Sequence, residues 1–229
     1  GGNVPTPLTS EAERAFYDLR AYYAADLVEE DKRIVLVVYT DQTLIAARKR
    51  SPLDRGLLAR TLRTLDAMEP KAIGIDILFD QPQDEDEELI ATLRAMKTPV
   101  AVAYADTAVN EGNIGYEQEQ YLKEFLARLE GSNAFPASVK LSNSFGTTRE
   151  WPEIVEGQPD LLGRAMLKAA GEERKALPGY EGAVRYQLPE DPSRPVYSYL
   201  PIDTFSDPAL TEIPELRAAL AEQIRGKYV

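Results

Sequence analysis

The chain has 229 residues, 44% of them hydrophobic, and carries a formal net charge of −12. It contains neither Cys nor His, which excludes a disulfide framework, a thiolate nucleophile, a Cys-type zinc site and a histidine general base. The acidic charge repels polyanions and argues against nucleic acid as a partner.

The amino-terminal segment predicts a helix followed by a strand. Ser10 and Glu13 fit a capping box, and apolar residues then recur at helical spacing, so we expect a helix over residues 11–28. The apolar run at residues 33–39 predicts the first strand. We therefore divide the chain into a linker with a signalling helix at residues 1–31 and a single α/β domain at residues 32–229.

Strands and helices alternate in the next part of the chain. Residues 72–79 and 100–104 are apolar runs, typical of strands that are buried on both faces. Asp54 is a suitable N-cap for one intervening helix, and the acidic run at residues 84–88 opens the other. This alternation predicts an α/β fold with a mostly parallel central sheet flanked by helices.

The second half of the chain has a less regular pattern. A helix is expected to end at Gly131, and residues 132–160 are rich in Ser, Asn, Pro, Gly and Thr, which predicts an irregular insertion. The remaining pattern predicts a helix at 161–170, a strand at 183–188, a helix through Leu210, Ile213, Leu216 and Leu220, and a strand at 226–229.

Carboxylates lie at the ends of two predicted strands. Asp76 and Asp80 flank the end of the most apolar strand, and Asp41 follows the first one. Open α/β sheets bind ligands outside the carboxyl ends of their strands, so all three are candidate ligand-binding residues. Arg55 opens a helix where its side chain can reach Asp76 or Asp80. The pattern leaves open whether Arg55 holds a ligand or forms an internal ion pair.

The acidic run at residues 84–88 has two interpretations. A calcium loop of the EF-hand type needs Gly at its sixth position, where this chain has Leu89. Acidic residues are also stabilised by the dipole at the start of a helix. We therefore predict a solvated helix start rather than a metal site.

Short motifs follow one another in a fixed order along residues 33–106. The first is a strand that ends in Asp, at residues 35–41, and the second is a Pro-x-x-Arg helix opening, Pro52-Leu53-Asp54-Arg55. The third is a strand that ends in Asp-x-x-Phe, Asp76-Ile77-Leu78-Phe79. The fourth is the start of an acidic helix with the pattern Asp-x-x-Leu, Asp86-Glu87-Glu88-Leu89. Glu181-Gly182-Ala183-Val184-Arg185 and Gly226-Lys227-Tyr228-Val229 continue the series. Together they resemble the second-type CHASE domain, an extracellular sensory module, and the resemblance adds Arg185 to the candidate ligand-binding residues.

The resemblance implies a sensor rather than an enzyme. In that family the domain lies between membrane helices and controls a cytoplasmic output, such as a nucleotide cyclase or the histidine kinase of a two-component system. We therefore expect a periplasmic or extracellular part of a longer, membrane-tethered receptor, which forms a homodimer and binds a small-molecule or protein signal. No cofactor and no nucleic-acid partner are expected.

Two other classes of function remain open on the sequence. A metal-dependent hydrolase or phosphotransfer domain would use Asp41, Asp76 and Asp80, and would bind magnesium or manganese through them. A purely structural dimerisation module would bind no ligand at all.

Overall fold

The computed structural model describes residues 35–38, 54–105, 114–138, 162–172 and 198–229. In chain order the elements within these residues are β1 (Val35–Val38), α1 (Arg55–Ala67), β2 (Ile73–Ile75), α2 (Asp86–Ala95), β3 (Val100–Tyr104), α3 (Tyr116–Ala127), β4 (Ala134–Ser138), α4 (Leu162–Ala169), β5 (Ser198–Pro201), α5 (Asp203–Ser206), α6 (Pro208–Thr211) and α7 (Pro214–Ile224). The predicted helix at 11–28 and strand at 183–188 lie outside the described residues.

All the strand pairs in the described residues are parallel, as predicted. One sheet has the order β2–β3–β4, and β1 pairs separately with β5. Val100 lies opposite both Ile73 and Ala134, so the three neighbouring strands begin at the same level. Their carboxyl ends consequently share one edge, which we call the carboxyl edge.

Residues 227–229 connect the two groups of strands. The amides of Lys71 and Gly74 donate to the carbonyls of Lys227 and Val229 at 2.8 and 2.7 Å, next to a parallel bridge between Ala72 and Tyr228. On the other side, the amide of Val35 donates to the carbonyl of Tyr228 at 2.8 Å. The strand predicted at 226–229 is thus confirmed as a short segment between β1 and β2, giving the order β5–β1–(227–229)–β2–β3–β4.

Helices cover both faces of this sheet. The first face packs against α1, α2, α3 and α7, whose apolar side chains form one core with alternate strand residues such as Ile73, Val100 and Val102. Gly74 points to the second face, where a Cβ would lie 2.5 Å from Sδ of Met166 on α4. Ala101 is the register partner of Gly74 and shares that face. The small residues let α4 lie close to the sheet.

Local signals explain where the helices on the first face begin and end. Asp54 caps α1, because its Oδ1 accepts from the amides of Gly56 and Leu57 at 2.9 and 3.2 Å.

The single last helix predicted through residues 210–220 is wrong, since Pro208 and Pro214 each begin a new helix. Proline lacks the amide that would continue the preceding helix, so the segment is divided into α6 and α7.

Two other boundaries differ from the prediction. The strand expected at 72–79 ends at Ile75, because the chain then leaves the sheet and buries Phe79 completely in the core. The first part of the predicted irregular insertion, residues 132–160, contains β4, in which Pro136 is exposed on a strand that pairs only with β3 among the described residues. Proline fits an edge strand because its missing amide is not needed there.

None of the described helices combines the length and apolarity needed to cross a membrane.

Candidate functional site

The carboxyl edge brings polar side chains from three neighbouring strands to one level. Asp76 directly follows β2, and Tyr104 and Ser138 are the last residues of β3 and β4. Tyr104 and Ser138 are register partners, so they lie side by side across the two strands. Each of the three residues is partly exposed, although Oδ2 of Asp76 is buried. Sequence analysis found Asp76 but missed the other two, because only the strand register reveals them as neighbours.

Arg55 lies at the amino end of α1, beneath this edge. Its side chain is only 1% exposed, and its Nε lies 3.1 Å from Oδ1 of Asp86, the first residue of α2. The guanidinium stands 4.7 Å above the centre of the Phe79 ring, and one of its NH2 groups donates to the carbonyl of Gln81 at 3.5 Å. The positive charge is therefore neutralised by a carboxylate and supported by an aromatic face.

Asp86 extends this ion pair to a third helix. Its Oδ2 accepts from the amide of Gln83 at 3.0 Å and from the hydroxyl of Tyr121 on α3. Burial, followed by the hydrogen bond to Asp86 and its charge, raises the pKa of Tyr121 to about 12. Arg55, Asp86 and Tyr121, which we call the polar triad, thus tie α1, α2 and α3 together.

The polar triad corrects the prediction for the acidic run at 84–88. Four of these residues are exposed, as a solvated helix start requires, but Asp86 is only 8% exposed. Glu85, with a left-handed φ of 69°, precedes α2 and makes no side-chain capping bond to it. A run of five acidic residues gives no sign of which one turns inward, because that depends on the position of Arg55.

Two phenylalanines lie next to the polar triad. The rings of Phe79 and Phe125 stack with their centroids 4.7 Å apart at an interplanar angle of 24°. Phe79 is fully buried between this partner and Arg55. The Asp-x-x-Phe motif therefore ends in a residue that anchors the loop after β2 to the helices of the first face.

Asp80 is held in that loop in an unusual electrostatic environment. Burial raises the pKa of this carboxyl above its ordinary value of 3.8, although a backbone hydrogen bond and the charge of Arg55 lower it. The neighbours of Asp80 in sequence, Phe79 and Gln81, both contact Arg55. A carboxyl kept in a desolvating environment is a common property of ligand sites.

The sequence-predicted residues are thus only partly brought together. Arg55 and Asp80 interact electrostatically, and Arg55 also forms an ion pair with Asp86, a residue that was not considered as its partner. Asp76 lies at the same edge. Asp41 and Arg185 are outside the described residues, and their roles stay predictions.

A metal site receives no support from the described part of the chain. No three of its acidic side chains converge in a way that could hold a metal ion. The metal-dependent alternative also requires Asp41, which is not described. It therefore stays a prediction, tested by calorimetric titration with magnesium and manganese.

Comparison with known families gives one result. The CHASE2 domain family matches residues 3–229, which is essentially the whole chain. CHASE2 domains are sensory rather than catalytic domains of signalling proteins, and are typically extracellular parts of membrane receptors. No curated protein and no solved structure shows significant similarity to the chain.

Proposed function

The chain belongs to the CHASE2 domain family, and from this premise we propose that it is the periplasmic or extracellular input domain of a bacterial transmembrane receptor. The receptor controls a cytoplasmic output such as a nucleotide cyclase or a histidine kinase. The observation that carries the proposal is the family match over residues 3–229. The absence of His and Cys from the sequence agrees with a domain that binds a signal rather than catalyses a reaction.

The proposed mechanism is a change between two arrangements of a homodimer. A signal that binds one arrangement more tightly shifts the population toward it, and the helix expected at residues 11–28 carries the change toward the membrane. The polar triad supports such a role for the domain, because it connects the starts of α1 and α2 with the middle of α3. A movement at the carboxyl edge would therefore reach several helices together.

Reporter fusions in the full-length receptor test the location. Alkaline phosphatase folds outside the cytoplasm, whereas green fluorescent protein inserted at the same point fluoresces only inside. We expect the phosphatase fused after Val229 to be active and the fluorescent fusion to be dark. An inactive phosphatase with a bright fluorescent fusion would show that the domain is cytoplasmic and would refute the proposal.

Control of the output is tested separately, in membranes that contain the full-length receptor. We expect Arg55→Met to change the basal cyclase or kinase activity at least twofold, because it removes the charge that connects three helices. Arg63→Met is the matched control, since Arg63 pairs with Glu88 at 3.3 Å with half of its side chain exposed. Equal output from both variants and the wild type would argue against coupling through the polar triad.

Homodimer formation is tested on the chain itself by sedimentation equilibrium. A dimer with no effect of any variant on output would favour the purely structural alternative. A single introduced cysteine, Ala24→Cys, can carry a spin label at one position because the sequence has no other thiol. A change in the distance between the two labels upon stimulation is the result expected for a moving helix.

A further inference from the structure

Residues 80–85, which we call the strap, connect two firmly anchored points of the domain. At one end, Phe79 is fully buried and stacks on Phe125. At the other end, Asp86 is 8% exposed and is paired with Arg55. None of the strap residues is itself buried. A segment that buries none of its residues can separate from the domain at low cost while its two ends stay in place.

One side chain of the strap binds directly to the start of α1. Oε2 of Glu85 accepts from the amide of Gly56 at 3.0 Å, and we call this hydrogen bond the latch. Gly56 leaves room for the carboxylate because it has no side chain, and a Cβ at this position would collide with it. A hydrogen bond to a carboxylate is stronger than one between neutral groups. The latch therefore stabilises the closed position of the strap.

Two features of the strap oppose this closed position. Glu85 has a left-handed φ of 69°, a conformation that residues other than Gly and Asn adopt only at a cost. Asp80 loses solvation, and this burial raises the pKa of its carboxyl although a backbone hydrogen bond and the charge of Arg55 lower it. Both costs disappear when the strap separates from α1. The latch thus acts against them, which brings the closed and open positions close in free energy.

Two further hydrogen bonds belong to the closed strap. The carbonyl of Gln81 accepts from Arg55 at 3.5 Å, which is long for a hydrogen bond, and the amide of Gln83 donates to Oδ2 of Asp86 at 3.0 Å. Neither partner depends on the strap for its position, because Arg55 and Asp86 bind each other. The strap can therefore open without breaking the polar triad.

We propose that the strap is a conformational switch that opens and closes as a unit, and that the hydrogen bond between Glu85 and Gly56 holds it closed. In the closed state the latch and the ion pair both fix the start of α2 to α1. In the open state the ion pair alone does so. The opening itself does not depend on the proposed function. Its consequence, a different receptor output from each state, rests on that function.

Amide hydrogen exchange in the full chain, followed by NMR spectroscopy, tests whether the strap opens separately. The reporter is the amide of Gln83, and the reference is the amide of Val100, which donates to the carbonyl of Asn133 at 3.0 Å within the sheet. We expect Gln83 to exchange much faster than Val100, at a rate that changes little up to about 1 M urea because strap opening exposes little surface. Exchange of Gln83 that follows Val100 at every urea concentration would overturn the proposal.

Substitutions on both sides of the latch test its role. Glu85→Asn removes the carboxylate but keeps a residue type that tolerates a left-handed φ, and it should make Gln83 exchange about tenfold faster. Gly56→Ala places a methyl group where the carboxylate lies, without weakening α1, since Ala favours a helix more than Gly does. It should have the same effect.

The double variant and a matched control complete this test. Glu85→Asn combined with Gly56→Ala should exchange Gln83 no faster than either single variant, because both remove the same contact. Asp84→Asn, at an exposed neighbouring position, should leave the rate unchanged. Effects that multiply in the double variant, or an equal acceleration by Asp84→Asn, would refute the latch.

The consequence for signalling is measured separately, in membranes that contain the full-length receptor. Glu85→Asn and Gly56→Ala should both change the basal output in the same direction, by about twofold or more relative to Asp84→Asn. Equal output from the three variants would refute regulation by the strap. The exchange measurements do not depend on where the domain is located. A cytoplasmic location in the reporter-fusion test would therefore refute the receptor and leave the opening of the strap intact.

Discussion

The first residues of two successive helices, Arg55 and Asp86, form a buried ion pair with Nε and Oδ1 3.1 Å apart. Helix starts in a parallel sheet gather at the carboxyl ends of the strands, so residues 31 positions apart become neighbours. Removing one charge of such a pair leaves the other buried and uncompensated, which costs more than the pair itself contributes. Substitution of either residue alone is therefore expected to be strongly destabilising.

Arg55→Met is expected to lower the free energy of unfolding by about 3–5 kcal/mol. Urea denaturation monitored by far-UV circular dichroism measures this change. The double variant Arg55→Met, Asp86→Asn should be less destabilised than the single one, since the orphaned charge is gone. Arg63→Met should cost about 1 kcal/mol or less, because both side chains of its pair with Glu88 are about half exposed. A loss at Arg55 as small as that at Arg63 would contradict the buried pair.

The raised pKa of Tyr121 predicts how the stability of the protein changes at alkaline pH. Its pKa in the folded protein, about 12, lies above the ordinary value of 10.0, so the folded state favours the neutral phenol. The resulting stability is complete below pH 10 and is lost as the pH rises to 12. Tyr121→Phe should therefore make the decline between these values less steep. The difference in absorbance at 295 nm between wild type and variant should show one phenol titrating near pH 12. A difference that titrates near pH 10 would contradict the burial of Tyr121 together with its hydrogen bond to Asp86.

The raised pKa of Asp80 predicts that its ionised carboxyl lowers the stability of the protein at neutral pH. Burial raises the folded pKa of its carboxyl above 3.8, so the ionised group costs stability at neutral pH. This cost disappears as the pH falls below the unfolded value. Asp80→Asn should accordingly stabilise the protein at pH 7 and lose that advantage toward pH 3.8. Asp84→Asn, at an exposed position of the same loop, is the control, and equal urea midpoints for the two variants at pH 7 would contradict the desolvation of Asp80.

Gly74→Ala tests the close approach of α4 to the second face. The new Cβ would lie 2.5 Å from Sδ of Met166, a residue that is only 1% exposed and therefore has to repack within the core. We expect a destabilisation of about 1–3 kcal/mol in thermal unfolding. Met166→Ala in the same background should recover part of the loss, although it lowers stability in the wild type. Additive effects of the two substitutions would show that the residues do not touch.

The sequence predicted much of this fold because its signals were local. Asp54 caps α1 through amides two and three residues away, and the apolar spacing of Leu58, Leu62 and Leu65 places all three in the core, as expected. Pro208 and Pro214 were equally visible, but the regular spacing of apolar residues was given more weight than the breaks. Strand lengths were less predictable, because an apolar residue such as Phe79 fits a strand or a core-filling loop equally well.

The candidate site was less predictable for a different reason. Asp76 and Asp80 could be found because they follow a recognisable strand. The inward turn of Asp86 and the pairing of Tyr104 with Ser138 depend on contacts between distant parts of the chain. Such contacts leave no periodic pattern, so neither residue stood out from other acidic or hydroxylated positions.

The position of residues 227–229 has a consequence for biosynthesis. The strands β1 and β2 emerge from the ribosome long before the segment that lies between them. Until that segment is synthesised, the hydrogen bonds that Tyr228 and its neighbours form with both strands are missing. The sheet therefore cannot be completed from its amino-terminal part alone, and a nascent domain must wait with unsatisfied strand edges. Slow maturation and a dependence on chaperones during synthesis are the expected properties of a domain in which residues 227–229, synthesised long after β1 and β2, lie between these two strands.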